Sequence, residues 1–440
     1  MKLVLVGGGG FRTPLVYGAL LARADRLVVD EFVLHDVDSG RLAVVAAVLE
    51  GLVDETGRRV PFRATLDLDD ALDGADVVFC AIRVGGLEAR VRDERVPLAE
   101  GVLGQETVGP GGIAFALRTV PVMQAIAERV ARRAPSAWFV NLTNPAGLVT
   151  EALQPVLGPR AVGICDGPES LFRGVARALG RPRDELRFDY FGLNHLGWLR
   201  AVDDEQGDRL PALVADEEKL SSFAEGRMFG AELIRSLGMI PMEYLWYFYF
   251  AREAVDAARR ERETRGEFLL QQQRAFYAEA GRDPRRALVA WRAAVEDRNA
   301  SYMAEAGKPE AGEPDDAVGY EHVALDVVEA VTGTESTGLV VNTTNRGSMP
   351  FLDEAAVVEV PCTVGPEGVF PLEVGAVPQF ARELIEEVKA AERLTIEAAV
   401  SGSEALAERA LAAHPLVPSA ETARRILHGY RVSVQKNSHE

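Results

Sequence analysis

The sequence is short of cysteine, short of basic residues relative to acidic ones, and without a long apolar run. Its three cysteines, Cys80, Cys165 and Cys362, are too few and too scattered for a disulfide framework. No uninterrupted apolar stretch reaches the length a bilayer-spanning helix needs. Residues 1–6 pass straight into glycines, without the longer apolar region and small-residue cleavage site of a secretory signal. Lys+Arg total 48 against 67 for Asp+Glu, a formal charge of −19. That balance lacks the basic footprint of a nucleic-acid binder and disfavours an anionic membrane surface. It is compatible with a small anionic substrate, because a local arginine cluster can work against the global sign. The expectation is a cytoplasmic protein that engages neither nucleic acid nor membrane. Its 440 residues suffice for two or three domains, or two lobes sharing an interface.

What the chain does have is alternation. Apolar runs over 2–6, 31–34, 75–81, 137–140 and 162–165 read as strands, with helices over 15–24 and 42–53. Parallel strands cannot be joined by hairpins, so this order predicts a parallel sheet with crossover helices. Beyond residue 166 helical patterns dominate, over 169–179, 223–236, 243–265, 268–279, 378–400 and 404–414. The Pro-, Gly- and charge-rich segment 307–315 reads as a surface loop, and 339–342 and 357–360 as short strands. The predicted fold is α/β: a Rossmann-type domain over 1–170 and a mostly helical α+β lobe over 171–440.

Gly7, Gly8, Gly9 and Gly10 follow the first strand and precede a helix. Glycines there let backbone approach a pyrophosphate, and the helix N-terminus favours its charge. The dinucleotide fingerprint is incomplete, since Arg12 takes the third glycine position. Asp36, at the end of the second strand, can accept hydrogen bonds from an adenosine ribose and would disfavour a 2′-phosphate, hence NAD over NADP. Gly7, Gly8, Gly9, Phe11, Arg12 and Asp36 are the candidate cofactor residues.

Eight blocks in order then carry a family likeness. They are residues 83–90, Gly104-Gln105-Glu106-Thr107, Asn141-Leu142-Thr143-Asn144-Pro145, Gly163-Ile164-Cys165-Asp166, Gly192-Leu193-Asn194-His195, Pro241-Met242-Glu243-Tyr244-Leu245, 341–348 and 392–398. Together they resemble the NAD- and metal-dependent family 4 glycoside hydrolases, the 6-phospho-glucosidase group, an exception to two-carboxylate glycosidase chemistry. The resemblance implies a lactate/malate dehydrogenase-like fold, a homodimer or homotetramer, and a redox–elimination reaction. In it NAD takes a hydride from sugar C3, a base removes the C2 proton, the glycosidic oxygen leaves, water adds and the hydride returns.

The resemblance also implies roles. Cys165 and His195 are implied metal ligands; thiolate plus imidazole by itself suggests zinc, the family manganese. Tyr244 is the implied base, Glu106 the residue that raises its basicity, and Asp166 the proton donor to the leaving oxygen. Arg90, Asn144 and Arg265 are implied substrate contacts; Arg83 and Arg346 are further candidates for a 6-phosphate. Each has a plainer reading: Cys165 as a buried inert thiol, Tyr244 as packing beside Trp246 and Tyr247, and Asp166 as a helix N-cap. An active Cys165 is expected to be an exposed, low-pKa, oxidation-sensitive thiol. The expected reaction is 6-phospho-β-glucosidase, with the α-anomer and unphosphorylated glycosides as alternatives within the family. A 2-hydroxy-acid dehydrogenase and a dinucleotide-sensing module are the alternatives outside it.

Overall fold

A computed structural model describes residues 1–300 and 319–437, with side chains to 431 at the C-terminal end. The expected loop over 307–315 lies outside the described residues. Six strands, β1 (Lys2–Val6), β2 (Glu31–His35), β3 (Phe62–Thr65), β4 (Val77–Cys80), β5 (Trp138–Asn141) and β6 (Ala161–Gly163), pair in parallel in the order β3-β2-β1-β4-β5-β6. This is the doubly wound order of dinucleotide-binding sheets. Successive residues serve opposite faces. Leu3, Leu5, Phe32, Leu34 and Phe79 enter one apolar cluster, while Val4, Val6, Val33, Val78 and Cys80 enter the other. Burial on both faces is why β1, β2, β4, β5 and β6 read as apolar runs; β3, a half-exposed edge strand, is not among the expected strands.

The chain then departs from the helical expectation. An antiparallel hairpin, β7 (Arg187–Leu193) and β8 (Leu196–Asp204), is extended by the two-residue strands β9 (Gly207–Asp208) and β10 (Ile240–Pro241), both against β8. The strands expected over 339–342 and 357–360 are present, as β11 (Thr337–Thr344) and β12 (Val357–Gly365), and with β13 (Gly368–Pro371) they return to the first sheet. β11 pairs antiparallel with β6, Asn342 opposite Gly163, giving a nine-stranded sheet. The expected helix over 243–265 is broken into a 3-10 turn at Glu243–Leu245 and helices at Trp246–Tyr249 and Ala251–Arg260. Phe250, at φ −123° and ψ 41°, interrupts it. The following helix, Arg265–Arg282, starts at a Thr264/Glu267 capping box and forms a hairpin with Ala287–Ala300. That hairpin packs on the helices Ser39–Thr56 and Gly86–Ala99 beside the glycine loop. Among the described residues no helix is long and apolar enough to cross a membrane.

Candidate active site

The loop after β1 has no room for side chains. Gly7 takes φ +92°, and a Cβ there would lie 2.4 Å from the Ala81 carbonyl oxygen. A Cβ on Gly9 would meet the Asp36 carboxylate at 2.9 Å. The loop is pressed between the ends of β2 and β4, where strand order reverses and doubly wound sheets bind their ligands. Asp36 accepts from the Gly9 N–H at 3.0 Å, and from the Val37 and Asp38 N–H groups at 2.8 and 3.2 Å. A carboxylate has about four acceptor directions, so one remains for a ribose hydroxyl. Two side chains of the helical hairpin reach the loop backbone: the Tyr277 hydroxyl donates to the Gly9 carbonyl (2.7 Å) and Trp291 Nε1 to the Phe11 carbonyl (2.8 Å). Phe11 turns its ring into an apolar cluster, edge-on to Phe276. Arg12 points toward the second lobe, its guanidinium 4.8 Å over the Tyr320 ring.

Three elements bring the implied catalytic groups together. Cys165 follows β6, His195 sits in the two-residue turn between β7 and β8, and Tyr244 lies in the 3-10 turn Glu243–Leu245. His195 adopts φ +63°, an uncommon left-handed conformation for a residue with a side chain. Its ring lies flat on Tyr244, centroids 3.8 Å apart and planes 1° apart. Thr107 Oγ1 hydrogen-bonds His195 Nδ1 at 2.8 Å, so Nε2 is the nitrogen a cation would take. Burial pulls the imidazole down to about 4, against the opposing charges of Glu243 and Glu106, so the ring is neutral and fit to be a ligand. A Cβ on Gly167 would lie 2.3 Å from Met242 Cε, so the turn after Cys165 packs directly against the segment leading to Tyr244.

The thiol corrects the expectation of an exposed, acidic cysteine. Cys165 is 8% exposed, and burial, reinforced by Glu359, Asp166 and Glu243, pushes it well above its ordinary value. A divalent cation reverses that balance, because a coordinated thiol is deprotonated outright. The carboxylates around the sulfur give a local negative potential that suits such an ion. Among the described residues no group of three or more His, Cys, Asp or Glu is placed to hold a metal. Cys165 and His195, the implied ligands, would by themselves leave coordination positions open for other oxygens.

Beside this pair lies a buried charge network. Arg90 Nε donates to Glu94 at 2.7 Å and its Nη1 to Glu106 at 2.7 Å, and Arg83 also bonds Glu106. Burial alone would raise Glu106, but Arg90, Arg83 and Arg298 outweigh it and hold the carboxyl far below the usual range. The charge of Tyr244 bears on Arg90, which puts the phenol next to this network. Arg265 Nη2 donates to the Arg298 carbonyl at 2.8 Å. Burial, then Arg12 and Arg90, and more weakly Arg265, bring the Arg298 guanidinium down to about 9 against Glu106, so four arginines crowd one place. Arg346 is not among them: it is exposed, next to Phe370. Asn144 precedes Pro145 in a cis peptide, and the next N–H, of Ala146, donates to Asn194 Oδ1 at 3.1 Å. Asp166 occupies the N-cap position of the Gly167–Leu179 helix, but its side chain accepts no capping hydrogen bond, so the capping alternative finds no support.

Other site residues do not stand out in the sequence. Thr107 and Glu243 lie inside the motif blocks but carry no signal that separates them from their neighbours. Tyr277 and Trp291 look like ordinary helix residues; only tertiary packing brings them to the glycine loop. Glu359 has one local mark, a carboxylate between Val358 and Val360 in an apolar strand. It is buried, accepts from Asn194, Asn342 and Tyr190, and burial raises it to about 7.

The chain is similar to known proteins along nearly its whole length. Residues 2–181 match the profile described as Family 4 glycosyl hydrolase, and 190–417 match Family 4 glycosyl hydrolase C-terminal domain. A "Probable 6-phospho-beta-glucosidase" of Bacillus subtilis is 33% identical over 97% of this chain and 95% of its own. A "Maltose-6'-phosphate glucosidase" of the same organism is 30% identical, covering 97% and 94%. Among solved structures, the 6-phospho-beta glucosidase of Thermotoga maritima with manganese, NAD+ and glucose-6-phosphate superposes with a TM-score of 0.84 at 27% identity, covering 99% and 98% of the chains. With matches running nearly end to end and a bare glycine loop at the switch point, the chain belongs to family 4 of the glycosyl hydrolases.

Proposed function

We propose that this enzyme hydrolyses 6-phosphorylated β-glucosides, with NAD and a manganese ion as its cofactors. The observation that carries the reading is the flat stack of His195 on Tyr244, with the turn after Cys165 packed on Met242 and the Arg90–Glu106 pair beside it. When bound, the nicotinamide accepts and returns a hydride at sugar C3 and the cation polarises the adjoining oxygens. The rest falls to the chain. The backbone of Gly7, Gly8 and Gly9 faces the pyrophosphate and Asp36 the ribose, while Phe11 and Arg12 shape the end of that loop. Cys165 and His195 hold the cation. Tyr244 takes the C2 proton onto its phenolic oxygen, and a cation next to a phenol favours the ionised form, a service Arg90 is placed to give. Glu106 fixes Arg90 against that ring. Asp166 gives a proton to the leaving oxygen, and Arg90, Asn144 and Arg265 grip the sugar phosphate. The crowding of Arg12, Arg265 and Arg298 in a chain of net charge −19 supports a phosphorylated substrate.

The same reading gives residues 1–170 the dinucleotide and residues 171–440 the sugar pocket and subunit contacts, in a cytoplasmic homodimer or homotetramer. A second reading, the α-anomer, is favoured by Asp166, which is not spent on helix capping, and by the maltose-6'-phosphate relative. The test is turnover of the α- and β-nitrophenyl 6-phosphoglucosides and their unphosphorylated forms, with NAD and Mn2+. Cleavage of the phosphorylated β-compound is expected. Release from the α-compound alone would overturn the anomeric assignment, and preference for unphosphorylated sugar would overturn the phosphate.

A further inference from the structure

One buried carboxylate is left unused by that chemistry. Glu359 is 1% exposed on β12 and forms no salt bridge among the described residues. Burying a carboxylate is costly, and a packed apolar side chain of similar size would avoid the cost. Its value lies in what its donors are attached to. Oε1 accepts from both Asn194 Nδ2 (3.1 Å) and Asn342 Nδ2 (2.8 Å), and Oε2 accepts from the Tyr190 hydroxyl (3.0 Å). Asn194 precedes His195 in the β7–β8 turn, and its own Oδ1 receives the Ala146 N–H at 3.1 Å, just past Asn144 and Pro145. Asn342 sits opposite Gly163, two residues before Cys165. A left-handed non-glycine residue such as His195 persists only where its surroundings over-determine it. One carboxylate oxygen thus ties the turn that carries His195 to the strand that flanks Cys165, and through Asn194 to the turn that carries Asn144.

We propose that Glu359 is a positioning residue, which acts through Asn194 to fix the His195 imidazole in the orientation that binds the cation. The proposal rests on the reading of His195 as a metal ligand, and the test separates the two. Two measurements serve: Mn2+ affinity of the NAD-bound protein by electron paramagnetic resonance, and the ring 15N resonances of His195 in the metal-free protein. Glu359→Leu is expected to weaken Mn2+ binding by about 10- to 100-fold, the usual penalty for losing an outer-shell partner. It should also shift the His195 resonances. Glu359→Gln keeps an acceptor for both amides and should leave the His195 resonances at their parental positions, whereas Glu359→Leu moves them. Tyr190→Phe removes the third donor without touching the turn, and should lower thermal stability while leaving both readouts in place. Should Glu359→Leu fail to fold, Asn194→Ala cuts the same link and should show the same shift and loss. Parental His195 resonances in folded Glu359→Leu or Asn194→Ala would overturn the proposal, as would an equal loss of Mn2+ affinity in Tyr190→Phe. A parent that binds no Mn2+ would overturn the metal reading alone, with the resonances still deciding the role of Glu359.

Discussion

A buried thiol and a buried imidazole answer burial differently. The His195 ring is driven toward the neutral form that binds metals, while the Cys165 thiol is driven away from the thiolate that does. As a ligand the sulfur would depend on a cation for its charge, because the surrounding Glu359, Asp166 and Glu243 add to burial in making the thiol hold its proton. A hydroxyl cannot take over this role, because it is a poorer ligand with a far higher pKa. Cys165→Ser is nearly isosteric in a packed place, so its thermal midpoint should stay within about 4 °C of the parent, the shift expected from ~1 kcal/mol or less in a large chain. Mn2+ affinity should fall about 100-fold, with turnover following. Calorimetry and spectroscopic Mn2+ titration measure the two. Undiminished metal-dependent turnover in this variant would remove Cys165 from the ligand set.

At the scale of elements, the helical hairpin Arg265–Arg282 and Ala287–Ala300 joins the arginine cluster to the glycine loop. Arg265 and Arg298 stand at one end of it, among the crowded arginines; Tyr277 and Trp291 grip the glycine-loop carbonyls from its middle. A single neutral hydrogen bond contributes about 1 kcal/mol, or roughly fivefold in affinity. Tyr277→Phe should weaken NAD binding by about that factor, and the double variant with Trp291→Phe by more than either alone. Titration calorimetry on metal-free protein measures it, and unchanged affinity in the double variant would show that the hairpin does not hold the loop. None of this coupling is legible in sequence, since Tyr277 and Trp291 meet the loop only after the chain has crossed the second lobe. Five of the six parallel strands were legible because double burial makes each one an apolar run bounded by polar residues, whereas the half-exposed edge strand β3, with Arg63 in it, was not. β7 and β8 were not, since polar residues such as Asp189 and Arg200, paired across the hairpin, break the apolar pattern; β11 and β12 were legible only in part, over 339–342 and 357–360, with Asn342 and Glu359 paired within the sheet. The helix expected over 243–265 fails for a related reason. Trp246, Tyr247 and Phe250 pack against one another, and the break at Phe250 lets that cluster form while Tyr244 turns toward His195.

For the whole molecule, the boundary in sequence is not a boundary in the core. β11 pairs with β6, so one sheet runs from β3 to β13 through both halves. The apolar cluster containing Leu3, Leu5 and Phe79 also contains Trp198, Val328 and Ile385. Phe172, in the first matched region, stacks on Phe188 at 4.4 Å and meets Tyr190 edge-on, just before the second matched region and at its start. Two lobes that share a sheet and a core are expected to unfold together, because neither keeps enough buried apolar area when the other is lost. Urea unfolding of the full chain, followed by tryptophan fluorescence and far-ultraviolet circular dichroism, should give coincident transitions. A fragment of residues 1–181 should expose the β6 edge and the Phe172 face, lack Tyr277 and Trp291 over its glycine loop, and bind NAD at least tenfold more weakly, about 1.4 kcal/mol, if it stays soluble. Two separated transitions, or a fragment that folds cooperatively and binds NAD like the full chain, would mean that the continuous sheet joins two independent folding units.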